Sequence, residues 1–363
     1  MLAVRSEFSA RREYRAGGVA AADSPALATR TLINLSQNEA PYAPSAVVAA
    51  TIDATARQLH QYPAPGARLL VEAIARHRDV APEHVLVGAG SSDLILVAWR
   101  LMTGPGKRGI YAWPGFEMYA LAGAFAGAVN VPVPLAADGR PDIAGLVEAA
   151  RHPDARVLAV CNPHNPTGTY LTHREFLELL DGVPDQVLVI NDEAYAEFAE
   201  AADFPRLTVE STRRPNLVTL RTFSKIYGLA GLRAGYAITS PSVIDLLRRA
   251  HTPFAISRPA EAGSVAALHE ADEVARRAEM NRRERGRLLI ELRRRGFSCL
   301  PSQANFVFAL PPWQGPWHEL LLRRGVLVRP FEAALRITIG LPEHHEVLLA
   351  ALDEIDEIAA QVQ

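Results

Sequence analysis

The 363-residue chain has almost no lysine: Lys107 and Lys225 are the only two, and the other 36 of its 38 basic side chains are arginine. Arginine stays protonated and forms no imine, whereas a lysine amine can lose its proton and attack a carbonyl. Lys107, in TGPGKRG, sits in a turn-like loop beside another cation and reads as a surface charge. Lys225 lies in TFSKIYGLAGLRAGY (222–236), between a serine and a glycine-rich stretch. It reads either as a second surface charge placed by chance or as a residue that does covalent chemistry. Cysteine is equally scarce. Cys161 and Cys299 make neither a disulfide framework nor a metal-type spacing, which predicts a reducing, cytoplasmic setting and no metal site. The opening residues MLAVRSEFSARREYRAGG lack the apolar core of a signal peptide, and no apolar run is long enough to span a bilayer, so no membrane partner is expected. The net charge of −2 gives no reason to expect nucleic acid. Internal repeats and low-complexity tracts are also missing.

What is present is ordinary for a globular enzyme: 49% hydrophobic and 21% charged residues, in a length that suits two domains. Short apolar runs at 84–88, 109–113, 129–135, 156–161, 186–191, 217–222 and 234–239 alternate with helix-period segments such as 92–102 and 173–182. This alternation predicts an α/β domain with a mostly parallel sheet. After about residue 250 the pattern changes to one long helix (259–295), strands, and a final helix, predicting a smaller α+β domain. The expected organisation is an arm with part of the small domain over 1–45, a large domain over 46–250 and a small domain over 251–363. Residues 276–296 hold nine arginines interleaved with glutamate and leucine, the pattern of an amphipathic helix with a solvated basic face.

In a parallel sheet, ligands bind at the carboxyl ends of the strands, so the residues after each run are the ones to inspect. GAGSSD (88–93) offers a tight turn and a helix start suited to phosphate, although ordinary βα turns look the same. It lacks the third glycine of a dinucleotide fingerprint, since Asp93 stands there. NPHNPTG brings Asn165, a neutral donor, to the top of the sheet. NDEAYAEF puts Asp192 just past an apolar strand, where it either faces a cation or caps a helix. FSK and GLAGLR add Thr222, Ser224, Lys225 and, from the next strand, Arg233. Phosphate ligands, a lysine, an acid and a neutral amide together suit one small molecule, pyridoxal 5'-phosphate.

These motifs, with QYPAPG, WPGFEMY, ANFVF, GVLVRPF and LRITIG, resemble the fold-type I PLP-dependent aminotransferases of class I/II. Within them the chain is similar to the histidinol-phosphate aminotransferase branch, and the likeness runs from LSQNEAPYAPS to LRITIGLPE. The resemblance implies a large domain with a seven-stranded, mostly parallel sheet. It implies that Lys225 holds the cofactor as a Schiff base and serves as the base that moves the α-proton. Asp192 would pair with the pyridinium nitrogen, and Asn165 and Tyr195 would bond O3'. Ser91, Ser92, Thr222, Ser224 and Arg233 would hold the phosphate, and Phe116 would stack on the ring. Tyr62 would reach the cofactor of a neighbouring subunit, which implies a homodimer with shared sites. Arg336 would bind the carboxylate of the amino donor, with Asn38, Tyr42, Asn165 and Arg329 also facing substrate. The implied reaction moves an amino group to a 2-oxo acid by ping-pong kinetics, from histidinol phosphate or from an aromatic or specialised amino acid. Decarboxylation or oxidation on the same fold is a competing reading, and a PLP-sensing regulator is a weaker one. Two departures bear on substrate: NEAPYAPS puts Tyr42 at the site entrance, and the stretch Arg329 to Arg336 is short.

Overall fold

A computed structural model describes residues 32–362, with side chains to Glu357; residues 1–31 of the expected N-terminal arm lie outside it. In chain order the strands are β1 (Ile33–Leu35), β2 (Val85–Gly88), β3 (Arg108–Trp113), β4 (Val129–Pro134), β5 (Ala155–Cys161) and β6 (Leu188–Asp192). They continue with β7 (Leu217–Thr222), β8 (Gly235–Ile238), β9 (Ser298–Cys299), β10 (Phe306–Leu310), β11 (Val326–Phe331) and β12 (Ala334–Thr338). Seven form one sheet in the order β2-β8-β7-β6-β5-β3-β4. The β4-β3-β5-β6-β7 run is parallel, and β8 alone is antiparallel to its neighbours.

Helices cover both faces, so the central strands are buried on both sides and read as continuous apolar runs. The two-residue pleat sorts them. Leu158, Val160 and Val189 pack into one core with Phe176 and Leu179 of the helix His173–Gly182. Val157, Ala159, Leu188 and Ile190 pack into the other core with Leu94, Ile95 and Trp99 of the helix Ser91–Met102. Pairing Cys161 with Asp192 in the β5–β6 ladder brings the two strand ends level, so the residues that follow them share one rim.

The second sheet runs β1-β11-β12-β10-β9. The N-terminal β1 joins it parallel to β11, while β10, β11 and β12 pair antiparallel. Its core contains Leu35, Trp317, Val328 and Ile337. The helix expected over 259–295 is two helices, Arg258–Leu268 and Ala271–Arg294. No glycine or proline marks the break in the sequence. Glu270 leaves helical geometry there, and its carboxylate accepts from Ser45 Oγ at 2.7 and 2.8 Å. The basic face is also not wholly solvated, because Arg277 and Arg285 are only 3% exposed. No helix among the described residues is long and apolar enough to cross a membrane.

Candidate active site

A cavity of about 490 Å³ opens between the carboxyl rim of the large sheet and the β11–β12 pair of the small one. At one end the chain turns from β2 into Ser91–Met102 through Gly90, at φ +86°. A Cβ on Gly90 would lie 2.6 Å from Arg233 Nη2, so only glycine lets the guanidinium lie against this turn. The first amides of the helix have no intrahelical acceptor, and Ser91 and Ser92 line the cavity with Arg233, an arrangement that suits an anion. Thr222 Oγ1 donates to Ser224 Oγ (2.9 Å), and Arg233 Nη1 reaches Ser224 Oγ at 3.3 Å. Arg233 is not in a strand, as its sequence position suggested. It precedes β8 in left-handed backbone (φ +55°), and this turns its side chain back over the site.

Lys225 follows β7 and donates from Nζ to the Gln37 carbonyl at 3.2 Å. Burial first, then the charge of Arg336, lowers its pKa to about 8. Asp192, at the end of β6, accepts from Tyr119 Oη at 2.9 Å through Oδ2. Its other oxygen, Oδ1, is buried without a hydrogen-bond partner. Burial raises the Asp192 pKa to about 6, against the Tyr119 bond, the Ala194 backbone N–H and the charge of Lys225, which lower it. A buried carboxylate oxygen left unmatched in a native site points to a group not contained in the chain itself. A protonated ring nitrogen supplies both the missing donor and the missing positive charge.

Across the cavity, Tyr195 Oη accepts from Asn38 Nδ2 (3.0 Å) and Asn165 Nδ2 (3.3 Å), while burial pushes the phenol pKa up. Asn165 Oδ1 accepts from Arg336 Nη1 and the Ser36 carbonyl from Arg336 Nη2, both at 2.6 Å. The Arg336 guanidinium lies 5.5 Å from the Phe306 ring and 5.9 Å from the Phe331 ring. Phe116 lines the opposite wall, edge-on to Tyr119 at 5.7 Å. Arg329, beside Arg336 in the β11–β12 ladder, pairs with Glu117 at 2.7 Å across the mouth.

The cavity therefore gathers Asn38, Ser91, Ser92, Phe116, Asn165, Asp192, Tyr195, Thr222, Ser224, Lys225, Arg233, Arg329 and Arg336. Tyr62, expected to serve a neighbouring subunit's site, and Tyr42, expected at the entrance, do not line it. Tyr62 is 80% exposed and stacks on Phe254 at 5.0 Å. Tyr42 lies behind the Lys225 turn rather than at the entrance, with its ring 4.3 Å from the Arg277 guanidinium.

Sequence reasoning gave no role to Tyr119, Glu117 or His164. Tyr119 and Glu117 lie inside the WPGFEMY landmark, and His164 lies inside NPHNPTG. His164 Nε2 is 3.0 Å from the Pro114 carbonyl, tying the Asn165 turn to the loop that carries Phe116. Burial lowers its pKa to about 4, so it stays neutral and Nε2 carries the proton for that carbonyl. Cys161 borders the cavity, but burial drives its thiol pKa well up and its Sγ donates to the Pro163 carbonyl, so it is no nucleophile. The unmatched Asp192 oxygen, the anion turn closed by Arg233 and the depressed lysine suit the acid, phosphate and aldehyde-binding needs of pyridoxal 5'-phosphate.

Residues 30–352 match the family model described as aminotransferase class I and II. An aromatic amino acid aminotransferase of Thermobifida fusca is 39% identical over 317 residues, 87% of this chain and 88% of that one. Another, from Streptomyces coelicolor, is 36% identical over 353 residues, 97% of each chain. Among solved structures, the histidinol-phosphate aminotransferase from Sinorhizobium meliloti in complex with pyridoxal-5'-phosphate is similar with a TM-score of 0.84. It is 28% identical, and the match covers 90% of this chain and 91% of that chain.

Proposed function

This chain belongs to the class I and II aminotransferases and is a pyridoxal 5'-phosphate-dependent transaminase, and from that premise we propose that its amino donor is an aromatic amino acid. The observation that carries the substrate reading is the Arg329–Glu117 pair at 2.7 Å. The cation beside the donor site is matched by a carboxylate, so a side chain bearing a second negative charge meets Glu117 as well as Arg329. Phe116 and Phe331 supply apolar wall on either side. A neutral aromatic ring is served by such walls, whereas a phosphorylated side chain is opposed by Glu117. The names of the T. fusca and S. coelicolor relatives support the same choice over histidinol phosphate.

When bound, the cofactor supplies the electron sink for the pair released at the α-carbon. The chain supplies the rest. Arg336 grips the donor carboxylate as a bidentate cation and sets the α-carbon over Lys225. Lys225 Nζ, with its pKa near 8, has a neutral fraction at neutral pH and takes the α-proton. Asp192 would pair with the protonated ring nitrogen, and Asn165 with Tyr195 would orient the ring oxygen. Ser91, Ser92, Thr222, Ser224 and Arg233 would hold the phosphate. We infer that Tyr62, exposed and stacked on the exposed Phe254, completes the site of a second copy in a homodimer; its exposure outside its own chain's cavity supports this reading. Sedimentation is expected to give twice the chain mass, and a fully active monomer contradicts that assignment.

Steady-state rates over phenylalanine, tyrosine, histidinol phosphate and glutamate as donors test the substrate reading. The aromatic donors are expected to lead in kcat/KM. In Glu117→Gln the rates for glutamate and histidinol phosphate are expected to rise about tenfold relative to phenylalanine, the scale of one charge contact at a partly exposed site. Preference of the unaltered chain for histidinol phosphate would sink the reading.

A further inference from the structure

Arg277 is an arginine of the basic run that the site chemistry leaves unused, yet it is 3% exposed. Every direction of its guanidinium is occupied. Nη1 donates to the carbonyls of Ile226 (3.1 Å) and Tyr227 (2.8 Å), the two residues that follow Lys225. Nη2 reaches the Ala43 carbonyl at 3.4 Å, and Nε donates to Glu273 Oε1 at 2.7 Å. Its flat face lies 4.3 Å from the ring centre of Tyr42, whose hydroxyl donates to the same Ile226 carbonyl at 3.3 Å. Gly228, at φ +70°, closes the turn by donating to the Lys225 carbonyl at 3.0 Å. A Cβ built there would lie 3.4 Å from Arg277 Nη1 and 3.6 Å from Tyr42, so the pair packs against the turn itself. The helix Ala271–Arg294 that carries Arg277 runs between the two cores, with Val274 and Ala278 against the large-sheet core and Leu288 and Leu292 inside the small-sheet core.

We propose that Arg277, braced by Tyr42, is a positioning residue that fixes the main chain after Lys225 and so aims Nζ at the substrate α-carbon. A planar fork with donors on two edges holds two adjacent carbonyls and a ring face at once, which an ammonium cannot do. Among the described residues the Lys225 side chain makes one hydrogen bond, 3.2 Å to the Gln37 carbonyl, and lies 5.6 Å from the centre of the Tyr195 ring. Its direction therefore depends on the backbone from which it springs. The inference rests on the role given to Lys225. A turnover-competent Lys225→Ala chain contradicts that role, whereas the Arg277 variants keep Lys225 and are read against it.

The test compares Arg277→Met, Arg277→Lys and Tyr42→Phe in the holoenzyme and in the cofactor-free chain. Arg277→Met is expected to lose kcat by about tenfold to a hundredfold, the scale for displacing a reacting group by about 1 Å, with little change in KM for phenylalanine. The kinetic isotope effect with α-deuterated phenylalanine is expected to rise, because a misaimed amine makes proton transfer slower relative to product release. In the cofactor-free chain, amide exchange at Gly228 and Leu229 is expected to quicken. Arg277→Lys is expected to stay impaired, and Tyr42→Phe to show the same isotope signature with a smaller loss. If Arg277→Met does not fold, the Lys and Phe variants decide. An unchanged isotope effect, with kcat per bound cofactor also unchanged, in all the folded variants overturns the proposal.

Discussion

Lys225→Ala is expected to lose turnover to below about 10⁻⁴ of the unaltered rate, because in the proposed mechanism one side chain both anchors the cofactor and carries the proton. The visible absorbance of the bound cofactor is expected to disappear with it. The fold is expected to survive. Lys225 makes a single 3.2 Å hydrogen bond, and its removal takes a cation out of a site that already disfavours the charged form. Far-UV circular dichroism therefore separates loss of chemistry from loss of structure. A Lys225→Ala chain that turns over at the unaltered rate contradicts the assignment outright.

Asp192→Asn is expected to cost about 10² to 10³ in kcat/KM, the range for removing one preorganised charged or hydrogen-bonding group. The physical reason lies in the ionisation of Asp192. Burial raises its pKa from 3.8 to about 6, so keeping it ionised against the chain's own groups alone costs about 3 kcal/mol relative to water. A cationic ring nitrogen held against Oδ1 would offset that cost, and Asp192 would in return keep it protonated. An amide of the same shape supplies a hydrogen bond but no charge. Retention of more than a tenth of kcat/KM in Asp192→Asn contradicts the pairing, and the Tyr119 hydroxyl then becomes the group to test.

Most of the site was legible in the sequence, and for a definite reason. In a parallel sheet the reactive side chains come directly after apolar runs, so Asn165, Asp192, Lys225 and the GAGSSD turn are marked by their position along the chain. The parallel run with its covering helices follows from the same alternation. What was illegible comes from contacts between distant segments. No local pattern tells that Tyr119 bonds Asp192, that His164 holds the Phe116 loop, or that Glu117 meets Arg329. The break at Glu270 is set by Ser45, more than 200 positions away in the chain, against good local helix propensity. Arg277 and Arg285 sit in a run that looks solvated, and tertiary carbonyls turn them inward. Tyr42 was expected at the entrance, and the stacking of Arg277 draws it behind the lysine instead. Decarboxylation and oxidation stayed open in the sequence. The choice of amino transfer comes from the family to which the chain belongs.

The central claim is that these strand-end residues form one site that takes the amino group from an aromatic donor. It is tested most directly by a single half-reaction. The cofactor-loaded chain, mixed with phenylalanine and no 2-oxo acid, is expected to release one phenylpyruvate per chain and then stop, with loss of its visible absorbance. Addition of 2-oxoglutarate is expected to restore the absorbance and yield glutamate. Release of carbon dioxide or hydrogen peroxide in place of phenylpyruvate, or no reaction with phenylalanine while histidinol phosphate reacts, contradicts the account.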